Sequence, residues 1–121
     1  MATARSDMGA AVLGGKLYVL GGEIGINDAG TNTNTVECYD PSTNKWASSN
    51  AVLGTARNNF VTAVVDNKLY VVGGISVGSP LEIASTVEVF EPRLLHYQNN
   101  ICLDLFVIIF SRNHARSMNV I

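Results

Sequence analysis

After Gly78 the chain of 121 residues contains no glycine, although eleven occur up to that point. Whatever turn-rich organisation governs the first two thirds therefore stops near the end. Cysteine is nearly absent too. Cys38 and Cys102 stand far apart and outside any C-x-x-C spacing, so neither a disulfide framework nor a zinc cage is indicated, and a reducing compartment fits. Charged residues make up only 15%, and eight basic against ten acidic side chains leave a net charge of −2. That balance supplies no basic field for a phosphate backbone or an anionic lipid surface, so neither nucleic acid nor membrane is expected as a partner. The longest apolar stretch, Leu103 to Phe110 with Asp104 inside it, falls short of the roughly 18 residues that span a bilayer. Met1 to Asp7 lacks the basic-then-apolar layout of a secretory leader, and no N-x-S/T sequon occurs. A cytoplasmic location is expected. What the chain has is apolar content, 47% hydrophobic residues with a mean hydropathy of +0.21, enough to drive burial of a single domain.

Self-similarity organises that content. Gly14-Gly15-Lys16-Leu17-Tyr18-Val19-Leu20-Gly21-Gly22 overlays Asp66-Asn67-Lys68-Leu69-Tyr70-Val71-Val72-Gly73-Gly74 at an offset of 52, with six identities in nine. Thr35-Val36-Glu37-Cys38-Tyr39-Asp40-Pro41 overlays Thr86-Val87-Glu88-Val89-Phe90-Glu91-Pro92 at an offset of 51, with four identities in seven. A loop absorbs the slip between the two blocks: Glu23 to Asn34 is twelve residues and Ile75 to Ser85 eleven.

Each unit reads as short strands. Lys16 to Leu20 and Lys68 to Val72 are apolar on both alternating faces, as in a strand covered from both sides. Thr35 to Tyr39 alternates, with Val36 and Cys38 inward and Thr35 and Glu37 outward, and Val87, Val89, Thr86 and Glu88 keep the same phase. This strand is expected to be half buried. Gly9 to Leu13 and Val61 to Val65 form hairpins with the strands that follow. Gly14-Gly15 and Asp66-Asn67 both tolerate the positive φ that a two-residue type I′ turn demands. The turn Asp40 to Asn44 leads to Trp46, where a fourth strand begins.

Arg5, Leu17 to Gly22, Val36 to Pro41 and Trp46, in that order and with a period of about 50, resemble the kelch repeat. The second copy matches through Arg57, Leu69 to Gly74 and Val87 to Phe90. It then departs, with Tyr97 opposite Trp46 and Arg93 to His96 in place of the turn. The resemblance implies an all-β fold of antiparallel four-stranded blades, a partial β-propeller of two blades with an atypical C-terminal tail. Repeat 1 covers residues 1–50, repeat 2 covers 51–97 and is incomplete at its end, and 98–121 form a non-kelch tail. Two blades leave two open flanks, so further blades or self-association are expected to complete a propeller. In the tail, Ile101 to Phe110 has the β-propensity and low charge of an aggregation-prone segment. It reads either as a strand covering the last blade or as a terminus foreign to the family.

Catalytic and ligand motifs compare poorly with this account. Gly74-Ile75-Ser76-Val77-Gly78 fits G-x-S-x-G, and Asp104 and His114 follow in hydrolase order. A nucleophile elbow, however, needs a helix and a parallel sheet behind it, whereas a strand is due within a few residues. Gly14-Gly15-Lys16 has Leu17 where a phosphate loop needs Ser or Thr. His96 and His114 lack partners at metal-ligand spacing. Cys38 lies opposite Val89 and reads as a small buried hydrophobe, and Trp46, Tyr18 and Tyr70 as packing between blades. Arg5 and Arg57 read as structural, bonding loop carbonyls or an acid of the neighbouring blade. No catalytic, cofactor or metal residue is assigned.

Kelch resemblance implies protein binding through the loop rim, as in the substrate-recognition part of adaptors for cullin-type ubiquitin ligases or in cytoskeletal scaffolds. Carried over by position, the rim falls on Ser6, Asp7, Asn58 and Asn59, and loosely on Glu23 to Asn34 and Ile75 to Ser85. The alternative is a fragment of a kelch-propeller enzyme of the sugar-oxidase or sialic-acid-epimerase type, whose site needs residues converging from several blades.

Overall fold

The computed structural model describes residues 1–25, 30–76, 81–92 and 105–110. All regular elements among them are strands, as the period-two patterning requires. β1 (Gly9–Leu13), β2 (Lys16–Leu20), β5 (Thr35–Asp40) and β6 (Lys45–Val52) form one antiparallel sheet in the order β1-β2-β5-β6. β8 (Val61–Val65), β9 (Lys68–Val72), β12 (Val87–Pro92) and β13 (Leu105–Phe110) repeat that order in a second sheet. Gly14 and Gly15 have φ of 57° and 74°, and Asp66 and Asn67 have 49° and 57°, so both hairpins use the expected left-handed turn.

The outermost strand of the second sheet comes from the tail. β13 pairs antiparallel with β12 from Val87↔Phe110 to Pro92↔Leu105, which is the place β6 holds against β5. The apolar run thus forms a strand along the edge of the last blade. An unpaired β12 edge would present open N–H and C=O groups, and pairing satisfies them. Arg93 to His96, Tyr97, Cys102, Asp104 and His114 lie outside the described residues.

Pairing register assigns every side chain to a face. Leu13, Tyr18, Leu20, Val36 and Cys38 share the face of the first sheet that meets the second. They are buried there with Leu69, Val71 and Phe90 from the opposing face, and with Ala51 and Leu53. One interblade core results, with each sheet supplying one face. Tyr18 lies in it fully buried, as expected. Tyr70 is only half-buried on the far face of the second sheet. Trp46, 36% exposed, instead tilts against Tyr39 with ring centroids 5.2 Å apart on the outer face of the first sheet. Cys38 is fully buried, but it is disulfide-bonded rather than a free small hydrophobe.

The expectation of a half-buried β5 and β12 needs correction. Glu37 is 3% exposed and Glu88 fully buried, so both faces are covered at these positions. The cause is a clasp built twice. Arg5 donates through Nη1 to the carbonyls of Gly21 (3.0 Å) and Thr35 (3.1 Å), and through Nη2 to Thr35 Oγ1 (3.1 Å) and Glu37 Oε2 (2.7 Å). Arg57 donates through Nη1 to the carbonyls of Gly73 (2.8 Å) and Thr86 (3.5 Å), and through Nη2 to Thr86 Oγ1 (2.8 Å) and Glu88 Oε1 (2.7 Å). The other carboxylate oxygen accepts a backbone N–H three residues before the arginine, from Ala2 or Gly54. Each acid thus belongs to the arginine's own repeat rather than to a neighbouring blade. A planar fork of donors is what lets one side chain serve four acceptors.

Two salt bridges also recur, Lys16 with Asp40 and Lys68 with Glu91, across the outer ends of β2–β5 and β9–β12. The Lys16 ammonium, aided by the Ser42 hydroxyl and amide, holds the Asp40 carboxyl at about 2, against an ordinary 3.8. Glu91 raises the Lys68 ammonium.

Two outcomes follow from these pairs. Arg57→Met strands a buried carboxylate and lowers unfolding stability by about 3–5 kcal/mol in urea titrations, whereas Arg57→Met combined with Glu88→Leu recovers the part due to the unpaired charge but not the part due to the lost bonds to Gly54, Gly73 and Thr86. Because the folded Asp40 titrates below its unfolded value, its stabilising contribution is complete above about pH 4 and lost as pH falls through about 2. NMR titration of the Asp40 carboxyl should place its midpoint near 2, and Lys16→Met should return it toward 3.8.

Candidate functional site

The arm leading into each sheet passes the end of its own long loop at close quarters. Gly22 and Gly74 have φ of 89° and 96°, and a Cβ there would lie 2.5 Å from the Ser6 carbonyl or 2.7 Å from the Asn58 carbonyl. These glycines let the arm lie against the loop, which then pairs with it. Ser6 exchanges backbone hydrogen bonds with Glu23 (3.0 and 2.9 Å), and β3 (Glu23–Ile24) pairs with β4 (Thr31–Asn32). In the second repeat β7 (Arg57–Asn58), β10 (Ile75–Ser76) and β11 (Glu82–Ile83) form the equivalent three-stranded patch. The long loops are therefore small sheets, for which the sequence showed no alternation because two-residue strands are too short to display one.

These patches gather the four rim positions at one end of the molecule. Ser6, Asp7 and Asn59 are exposed. Asp7 and Asn59 both adopt left-handed backbone, φ 50° and 51°, and the Asn59 amide donates to the Asp7 carbonyl at 2.9 Å, joining repeat to repeat. Asn58 is different. Only 9% exposed, it donates from Nδ2 to Glu23 Oε2 at 3.3 Å, while Asn32 Nδ2 donates to the Ile75 carbonyl at 2.9 Å. Glu23 also occupies the space a side chain on Gly30 would fill. Asn32 and Asn58 thus cross-link the two patches. The sequence places Glu23 and Asn32 only loosely, within a loop, since partners of theirs lie in the other repeat.

Ser76, the serine of the G-x-S-x-G match, sits in β10 with Oγ donating to the Glu82 carbonyl at 3.2 Å. A two-residue antiparallel strand does not hold a strained nucleophile at the mouth of a helix. Among the described residues no group of three or more His, Cys, Asp or Glu is placed to hold a metal ion. No helix among them is long and apolar enough to cross a membrane.

The cross-link is testable by charge. Asn58→Asp sets a second carboxylate against Glu23 in a largely buried place, and unfolding stability at neutral pH should fall by about 1–3 kcal/mol. Like charges raise the carboxyl pKa, so the deficit should shrink as pH is lowered toward 4 in parallel denaturation curves.

The family model of the kelch motif matches residues 4–49 and 56–95, more than half of the chain. Kelch-like ECH-associated protein 1A of Danio rerio is 41% identical over 69 residues, 57% of this chain and 11% of that protein. F-box/kelch-repeat protein SKIP4 of Arabidopsis thaliana is 34% identical over 88 residues, 73% of this chain and 23% of that one. The influenza virus NS1A-binding protein homolog of Mus musculus is 45% identical over 74 residues, 61% of this chain and 11% of that one. The chain thus spans less than a quarter of the length of these relatives. The solved structure of YjhT is similar with a TM-score of 0.52 and 35% identity, over 60% of this chain and 21% of that one. With two matched motifs, each folded as a four-stranded antiparallel blade whose arginine is tied to the glutamate of its own third strand, the chain belongs to the kelch-repeat family.

Proposed function

We propose that this chain is a protein-binding kelch module whose loop end receives the partner, and that it carries no catalytic step of its own. The observation behind this reading is the gathering of Ser6, Asp7 and Asn59 at one exposed end, with backbone fixed by pairing between the two repeats. Rigid, polar, solvent-facing loops lose little freedom on binding, and so favour recognition. Asn58 enters as the buried support that holds Glu23 beneath them. One relative is named for binding a viral protein and another pairs kelch repeats with an F-box, which agrees with a recognition role. Within a larger assembly the module would supply target recognition to a cullin-type ubiquitin ligase adaptor, or serve as a cytoskeletal scaffold.

A cytoplasmic location goes with that role. The Cys38 disulfide argues the other way, because disulfides persist in oxidising compartments. Thiol labelling of protein taken directly from cells decides between them.

Binding is tested by cross-linking the chain to captured proteins and mapping the linked residues. Links should concentrate near residues 6–7 and 59, and Asp7→Ala with Asn59→Gly should reduce recovery of the same partner about tenfold, the effect of losing about 1.4 kcal/mol. Lys45→Ala, at the exposed start of β6 away from those loops, should leave recovery unchanged. Equal recovery from both variants would remove the loop end from the proposal.

A further inference from the structure

The two blades bury their equivalent faces unequally. Tyr18, Leu20 and Val36 of the first blade are 0%, 0% and 1% exposed because the second blade covers them. Their counterparts in the second blade are Tyr70, Val72 and Val87. Val72 is 44% exposed, and Tyr70 and Val87 are half-buried. Val61 and Val65 on the same face are 65% and 54% exposed, although Val89 there is buried. The covering face of the second blade consists of Leu69, Val71 and Phe90. In the first blade the counterparts of that covering face are Leu17 and Tyr39, both half-buried, and Val19, 3% exposed, flanked by Val12 at 63% exposure. Val19 and Val89 apart, which are already buried, the chain therefore leaves part of each half of that interface uncovered, at Val12 on one side and at Val61, Val65 and Val72 on the other.

We infer that the open face of the second blade is an interface for the first blade of another copy of this chain, joined head to tail. The packing that fixes the observed interface carries over with compensating sizes. At the inner edge the Phe60 ring lies where a Cβ on Gly9 would be, a large side chain against none. Fifty-two residues apart, the corresponding pair is Val61 and Met8, medium against flexible, exposed by 65% and 39%. Small loss on one side matches gain on the other, which is what a volume-conserving repacking requires. Thr62 Oγ1 donates to the Ala10 carbonyl across the observed interface. Its counterpart Ala10 removes that donor from the second contact and leaves the rest apolar. Such a contact is heterologous and closes only as a ring. With two blades per copy, propellers of four to eight blades correspond to two to four copies.

Light scattering and sedimentation of the 121-residue chain test this. Concentration-dependent assembly to a fixed multiple of the monomer mass, between two and four, is expected. Val72→Asp spoils one half of the contact and Val12→Asp the other. Each alone should be monomeric while keeping the circular dichroism of β-structure, and their mixture should form a one-to-one dimer through the single intact contact. Val61→Lys, at a more exposed position, provides a second variant of the first kind. A monomeric parent chain, growth to no fixed multiple, or variants that fail to recombine on mixing would each overturn the inference.

Discussion

A buried guanidinium held against a buried carboxylate is the constraint on which the rest of each blade depends. Taking either charge out of water alone costs several kcal/mol, so neither Arg57 nor Glu88 is tolerable without the other. Together they do more than cancel. The arginine's remaining donors bind the carbonyl before the second glycine of the doublet and the threonine that opens the third strand, and the glutamate's second oxygen takes a backbone amide of the incoming arm. Three separate pieces of chain are thereby fixed at one point. Ser6 and Asp7 follow Arg5 directly, as Asn58 and Asn59 follow Arg57, so the clasp sets the path of the segment that becomes the exposed loop end.

Between blades the forces are of another kind. The interface is almost wholly apolar and depends on shape, as in the absence of a side chain at Gly9 beneath the ring of Phe60. Among the described residues the polar links between the blades lie at its margins: Thr62 to Ala10, Asn58 to Glu23, Asn32 to Ile75, and the backbone bonds of Asn59 to Asp7 and Gly22 to Arg57. Cohesion between blades thus scales with area buried, whereas cohesion within a blade relies on hydrogen-bond ladders and the clasp. Any further unit has only to offer an apolar face of the right relief.

Legibility in the sequence followed the range of the interaction. The hairpins at Gly14-Gly15 and Asp66-Asn67 and the strands on either side were readable because turn chemistry and alternation act within a few residues. Glu37 and Glu88 misled, since an acid at an alternating position signals solvent unless its counter-charge is known, and that partner stands 31 or 32 residues away. The loop patches were hidden by their brevity. Of the rim positions, Ser6, Asp7 and Asn59 are exposed, while the burial of Asn58 could not be seen without Glu23 of the other repeat.

By itself the sequence determined that there are two alike units of short antiparallel strands, and where each turns, because those features arise from local backbone chemistry repeated at a constant period. Only the tertiary structure decided which face of each sheet is covered, that the apolar tail supplies the last strand of the second blade, and that loops of different repeats meet at one end. These depend on contacts between residues dozens of positions apart. A pattern read along one chain records the preferences of each residue but not the neighbour that satisfies them.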